Sequence, residues 1–245
     1  MSANLPLSGR TAWVTGAARG IGAATAHALA NDGATVHLSD LDSCQKVVDE
    51  IVAGGGQAVG HTLDIRDRAG CEDLVTALTE SDGALDYLVC NAGICPAGSV
   101  AGDWDQWQHV MEVNVTGTQN CVAAAWPGMT ERGGAIVLVS SMAFYRGGVI
   151  VGSEYSTSKG ALIGLTRHLA RNGGPLGIRC NAVAPGIINT PMTENFDRPA
   201  LDDIPLGRLG SAEDVAGPIR FLCGPESAYM TGTVLNVTGG MVLAA

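Results

Sequence analysis

The segment "TAWVTGAARGIGAATAHAL", from Thr11 to Leu29, constrains the fold more than any other stretch. A β-branched run passes through glycines at 16, 20 and 22 and enters a helical pattern of small residues that runs to a stop at Gly33. Glycine lets backbone N–H groups approach a pyrophosphate, and the helix that follows offers its unsatisfied donors and positive dipole end to the anion. A strand before and a helix after are the context such a loop requires. Gly16, Arg19, Gly20, Ile21 and Gly22 are therefore candidate contacts to a dinucleotide.

The same alternation continues along the chain. Aliphatic runs start at 11, 34, 57, 85, 134, 177 and 232, with helical patterns between them, which predicts seven strands joined by right-handed crossovers. The expected fold is α/β: a doubly wound, Rossmann-like, parallel seven-stranded sheet with helices on both faces. No linker, charge block or repeat divides the 245 residues, so a single domain over 1–245 is expected. Its dinucleotide-binding part would span about 9–140, and its substrate and lid part about 141–245. With 46% hydrophobic but only 4% aromatic residues, the core must be aliphatic.

Asp40 ends the second strand, 18 residues beyond Gly22. A carboxylate there accepts hydrogen bonds from the ribose 2′- and 3′-hydroxyls and repels a 2′-phosphate, which selects NAD over NADP. Arg19 pulls the other way, and Asp42 lies two residues too far along to replace Asp40. A formal charge of -10 leaves no basic face for nucleic acid or anionic lipid. No stretch approaches the ~18 apolar residues of a membrane span, and "MSANLPLSGR" has no signal-like apolar run, so a cytoplasmic protein without a membrane partner is expected. The seven cysteines form no CxxC pair and the five histidines are scattered, so no metal is expected.

In "EYSTSK", Tyr155 and Lys159 stand four residues apart, on one face of a helix. Together with the glycine loop and Asp40, this pair resembles the short-chain dehydrogenase/reductase family across nearly the whole chain. The motifs that carry the resemblance are "TGAARGIG" (15–22), "LDI" with Asp64 and Ile65, "NAG" with Asn91, Ala92 and Gly93, and "VNVTGT" with Asn114. "VSSM" with Ser140 and Ser141, "YSTSK", and "APGIINT" with Pro185, Gly186, Ile188 and Thr190 complete the set.

The resemblance implies an NAD(H)-dependent oxidoreductase that interconverts a secondary alcohol and a ketone. Tyr155 would be its acid/base, Lys159 the ammonium that lowers the tyrosine pKa and holds the nicotinamide ribose, and Ser141 the holder of the substrate oxygen. Asn114 would support a water on the proton path from the lysine. Asp64 and Ile65 would meet the adenine, and Ile188 and Thr190 the nicotinamide carboxamide. Ser140 is the rival to Ser141, because the serine-to-tyrosine interval is about one residue longer than the family's usual spacing.

Expected pocket walls are Ile94, Cys95 and Pro96, the stretch 142–154, and a short lid from Pro191 to Asp203, all mainly apolar or small, which fits a neutral small-molecule alcohol or ketone. Arg146 reads as a solvated loop residue. The resemblance also implies a homotetramer. The alternative enzyme is an NADPH-dependent 3-oxoacyl carrier-protein reductase, disfavoured by Asp40, by the net charge and by Leu176 where such enzymes commonly have arginine. A non-catalytic dinucleotide-sensing protein is the alternative outside enzymes, set against an intact Ser141, Tyr155 and Lys159.

Overall fold

Each of the seven aliphatic runs becomes a strand of one sheet. The computed structural model describes residues 5–98, 103–147, 151–194 and 200–243. Its strands are β1 (Thr11–Thr15), β2 (Thr35–Asp40), β3 (Gln57–Thr62), β4 (Tyr87–Cys90), β5 (Gly134–Val139), β6 (Ile178–Pro185) and β7 (Val234–Val237). They pair in the order β3-β2-β1-β4-β5-β6-β7, every pair parallel. In the middle of the sheet Val14 of β1 stands between Leu38 and Val89. Helices cover both faces, so all of β1 is buried and its apolar run shows no alternation, whereas edge strand β3 is largely exposed.

The helices are α1 (Gly20–Asn31), α2 (Gln45–Ala53), α3 (Arg68–Asp82), α4 (Trp104–Met111), α5 (Thr118–Arg132), α6 (Ala143–Arg146), α7 (Ser153–Gly173) and α8 (Ala212–Cys223). On one face Leu29, Val47, Ile51, Val215 and Ile219 of α1, α2 and α8 close over the sheet. On the other, Leu74, Leu78, Val122, Met129 and Leu162 of α3, α5 and α7 do the same. Each such side chain contributes about 1.5–3 kcal/mol by leaving water, and together they fix the helices that carry the site. Among the described residues no helix is long and apolar enough to cross a membrane.

Two helix boundaries follow the sequence reading. Gly33, at φ +94°, takes the left-handed turn after α1 and donates its N–H to the Ala30 carbonyl. Ser211 caps α8, accepting the Asp214 N–H at 3.3 Å while the Asp214 carboxylate accepts the Ser211 N–H at 2.7 Å. One expectation changes. The motif "VNVTGT" reads as the interior of one long helix, whereas the structure interrupts it between α4 and α5 with a π-helical turn, Glu112–Gly117. The wider turn lets the Asn114 side chain leave the helix and bond the loop after β4, which would otherwise compete with helical geometry.

Strand order reverses between β1 and β4, so the loops leaving their C-terminal ends diverge and a crevice opens there. A groove of about 1130 Å³ occupies it.

Candidate active site

The glycine loop and the β4 end are fastened to each other by two short side chains that bind backbone groups. The Thr15 hydroxyl accepts the N–H of Asn91 at 3.1 Å and of Ala92 at 3.0 Å. The Asn91 amide nitrogen donates to the carbonyls of Thr15 (3.0 Å) and Gly16 (2.9 Å). Gly16 has φ +64°, and a Cβ there would meet the Ala92 Cα at 2.7 Å. At Gly22 a Cβ would collide with the Gly16 carbonyl oxygen. Side chains are thus excluded from the floor of the groove. Helix α1 begins behind it with extended Arg19 at its N-cap and no side-chain cap, which leaves backbone donors available at that end.

Asp40 closes the far side. Its carboxylate accepts the N–H of Ala18 at 3.0 Å and of Asp42 at 3.2 Å, so it is held by the turn it faces. Arg19 pairs with Asp42 at the surface, which draws its guanidinium toward that neighbouring carboxylate. Asp64 lines the same end but is gripped by Arg66, whose guanidinium donates to both of its oxygens and holds the carboxyl below its ordinary range. Ile65 is 6% exposed and packs against Gly117, where a Cβ would meet its Cγ1 at 2.6 Å. Thr190 comes to the opposite rim, its methyl 3.5 Å from where a Gly20 Cβ would stand. Ile188 is buried and bridges to Gly210 behind it, and Gly186 donates its N–H to the Val237 carbonyl. Pro185 accepts the Met142 N–H at 2.8 Å, tying the β6 end to the segment that carries Ser141.

Tyr155 and Lys159 lie on the first two turns of α7, both buried, with the lysine Nζ 5.7 Å from the tyrosine ring centroid. Ser141 and the Cys95 thiol both come within hydrogen-bonding reach of the phenol. Ser140 is turned away: its hydroxyl donates to the Lys159 carbonyl at 2.8 Å. Of the two serines, only Ser141 faces the tyrosine. Lys159 donates from Nζ to the Val139 carbonyl at 2.9 Å, and burial lowers its ammonium pKa to about 8.

The electrostatics differ from the sequence expectation. Burial pushes the Tyr155 phenol upward, and the Ser141 hydrogen bond only opposes it. The ammonium, aimed at Val139 and itself desolvated, does not reverse this within the polypeptide. Burial likewise pushes the Cys95 thiol up to about 12, so it meets the phenol as a neutral S–H.

Asn114 is fully buried, and its side chain is spent on the protein. It accepts the Ile94 N–H at 2.8 Å and donates to the Ile94 carbonyl and the Ser158 hydroxyl, both at 3.0 Å. Its main-chain carbonyl accepts the Thr118 hydroxyl at 2.9 Å. Arg146 is exposed and outside the groove lining, in keeping with a solvated residue. The expected walls at 148–150 and the lid positions 195–199 lie outside the described residues. Sequence reasoning missed Thr15 as the clasp, and Gln106 and His109 of α4 as lining residues. The spacing of Gln106 and His109 on one helical face just after the "NAG" loop was the available signal. Among the described residues no group of three or more metal-ligating side chains could hold a metal ion.

The fold is that of an oxidoreductase family, as comparison with known proteins shows. A family model described as Enoyl-(Acyl carrier protein) reductase matches residues 16–242. The chain belongs to the short-chain dehydrogenase/reductase family. It is 38% identical to a cyclohexanol dehydrogenase of Rhodococcus sp. (strain TK6), over 98% of this chain and 99% of the relative. It is 39% identical to a 3-oxoacyl-[acyl-carrier-protein] reductase of Synechocystis sp., over 97% of this chain and 98% of that one. A crystal structure of a short-chain type dehydrogenase/reductase from Mycobacterium marinum superposes with a TM-score of 0.94 at 33% identity, covering 98% of both chains.

Proposed function

We propose that this oxidoreductase uses NAD(H) to interconvert a neutral secondary alcohol and its ketone, with Tyr155 as the acid/base. The observation that carries the reading is the buried cluster in which Ser141 and Lys159 flank the Tyr155 phenol, next to Gly93 and Cys95 of the glycine-floored groove. The groove fits a dinucleotide: Gly16, Gly20 and Ile21 line it, packing at Gly16 and Gly22 admits no Cβ, α1 presents uncapped N–H groups, and Asp40 offers a carboxylate to a diol. Asn91, Ala92 and Gly93 shape that groove, Asp64 and Ile65 face its adenine end, and Thr190 stands on the rim where the nicotinamide would lie, with Pro185, Gly186 and Ile188 on the segment that leads to it. Arg19, held by Asp42, is less able to greet a 2′-phosphate, which favours NAD.

When bound, the cofactor supplies the hydride acceptor or donor. Ser141 holds the substrate oxygen beside the phenol. In reduction the buried phenol gives its proton to the developing alkoxide, and in oxidation it takes the hydroxyl proton as a phenolate. Because burial raises the phenol pKa, the protonated acid is the resting form at neutral pH, and a positive charge brought in beside Lys159 is needed to make the base. Reduction is therefore expected to run well near neutrality and oxidation to climb with alkaline pH. Asn114 acts by fixing Ile94 and Ser158, and any water it supports must use its main-chain carbonyl. The nucleotide part spans about 9–140 and the substrate part about 141–245. A cytoplasmic homotetramer belongs to the same proposal, and a monomeric mass in solution at micromolar concentration would reject the tetramer.

The test is initial-rate absorbance at 340 nm with NAD⁺ and NADP⁺ in parallel against aliphatic, cyclic, benzylic, steroid and polyol secondary alcohols. Turnover with NAD⁺ is expected. Clear preference for NADP⁺ would transfer support to a 3-oxoacyl carrier-protein reductase, the activity named for the Synechocystis relative.

A further inference from the structure

Glu154, the residue before Tyr155, is a carboxylate that is only 2% exposed and has no part in the chemistry above. Its Oε1 accepts the Gln106 amide N–H at 2.7 Å, and the same nitrogen donates to the Ala97 carbonyl at 3.1 Å. Two glycines make room for it. A Cβ on Gly98 would come within 2.7 Å of Oε1, and one on Gly152 would collide with the carboxylate. Ala97 also bridges to Val151, just before α7.

This arrangement repeats the one built by Asn114. There too an amide nitrogen from the α4–α5 region donates both to a carbonyl of the loop after β4 (Ile94) and to an acceptor on α7 (Ser158). Glu154 and Ser158 are four residues apart, on one helical face, and bracket Tyr155. The loop is thus pinned at Ile94 and at Ala97, and Cys95 lies between the pins against the phenol.

The geometry points to Glu154 and Gln106 as a positioning latch that holds the Cys95 wall of the substrate cleft against Tyr155. Glu154 acts through the loop and touches no reacting atom. Its hydrogen bond carries the role, and a neutral acceptor of the same shape should serve.

The kinetic half of the test rests on the alcohol dehydrogenase reading, and the labelling half does not. Cys95 is the one cysteine of seven that is not buried, so the rate at which a small maleimide labels the native protein reports on this loop, with Cys95→Ala as the blank. Glu154→Ala and Gln106→Ala are each expected to speed labelling more than about threefold and to raise the alcohol KM about fivefold or more, with kcat changed less, and Glu154→Ala should keep NADH affinity within about twofold. Glu154→Gln should restore both readouts, and the Glu154→Ala/Gln106→Ala pair should be no worse than the poorer single variant. Additive losses, unchanged labelling in Gln106→Ala, or a Glu154→Gln variant as poor as Glu154→Ala would overturn the latch. If Glu154→Ala does not fold, the Gln106→Ala and Glu154→Gln arms still decide. If the wild type turns over no alcohol, the activity reading fails while labelling still judges the latch.

Discussion

The two ends of the groove are built by different means. At the nucleotide end two short side chains bind backbone: Thr15 and Asn91, with three glycines, make a floor from which a Cβ is sterically excluded at Gly16 and Gly22. At the substrate end the work falls to long-range side chains, Asn114 reaching Ser158 and Gln106 reaching Glu154 across helices. The first end is vulnerable to any added atom, the second to the loss of a particular one. A ligand of fixed shape suits the former, and a substrate that differs between relatives suits the latter.

The sharpest way to separate the ends is Tyr155→Phe, which should lower kcat by ~10²–10⁴ while NADH titration by fluorescence stays unchanged. A loss of NADH binding instead would mean the ends are not independent. Gly22→Ala should do the converse. The added methyl meets the Gly16 carbonyl, so NADH binding should be abolished and the melting transition should drop by an amount equivalent to about 1–3 kcal/mol. Unaltered NADH binding would break the claim that the floor tolerates no atom.

Asp40→Asn should cut kcat/KM for NAD⁺ by about 10- to 100-fold, the size of a lost charged hydrogen bond. Adding Asp42→Asn releases Arg19 and should raise NADP⁺ use further. An unchanged cofactor ratio in the double variant would remove Asp40 from cofactor choice. The smallest effect lies outside the groove, at edge strand β3, where His61 contacts His37 at 3.0 Å and Asp82 accepts from the other side of His37 at 2.6 Å. Burial and then the neighbouring His37 lower the His61 pKa from 6.5. The unfolded chain therefore binds this proton more readily, so the stability His61 contributes is complete above about pH 6.5 and is lost as pH falls through the folded value. Melting temperature against pH should slope less steeply in His61→Asn between pH 7 and 5. Parallel slopes would clear His61 of that role.

Much of this was legible because the fold writes itself in apolar runs. Strands buried on both faces, such as "TAWVT", need no alternation to be recognised, and Gly33 and Ser211 mark helix ends by backbone freedom and capping chemistry that act locally. The site was legible in its motifs more than in its geometry. Nothing in two adjacent serines says that Ser140 will tie down the Lys159 carbonyl and Ser141 will face the phenol. The extra residue in the turn at Asn114 left no mark, since a π turn differs from an α turn by one hydrogen-bond step. Glu154 and Gln106, 48 residues apart, meet only because α4 and α7 pack together. The balance on Tyr155 could not be read either, because desolvation depends on every neighbour at once.

The wide turn at Glu112–Gly117 also sets the angular phase of everything that follows it. One residue fewer in that turn would rotate α5 by about 100°, swinging Cys121, Val122, Ala125 and Met129 off the sheet they cover. The stretch should therefore tolerate exchange of its side chains far better than any change of its length. A library of single-residue deletions running from Trp104 to Arg132 should show its deepest loss of folded protein at and just after this turn.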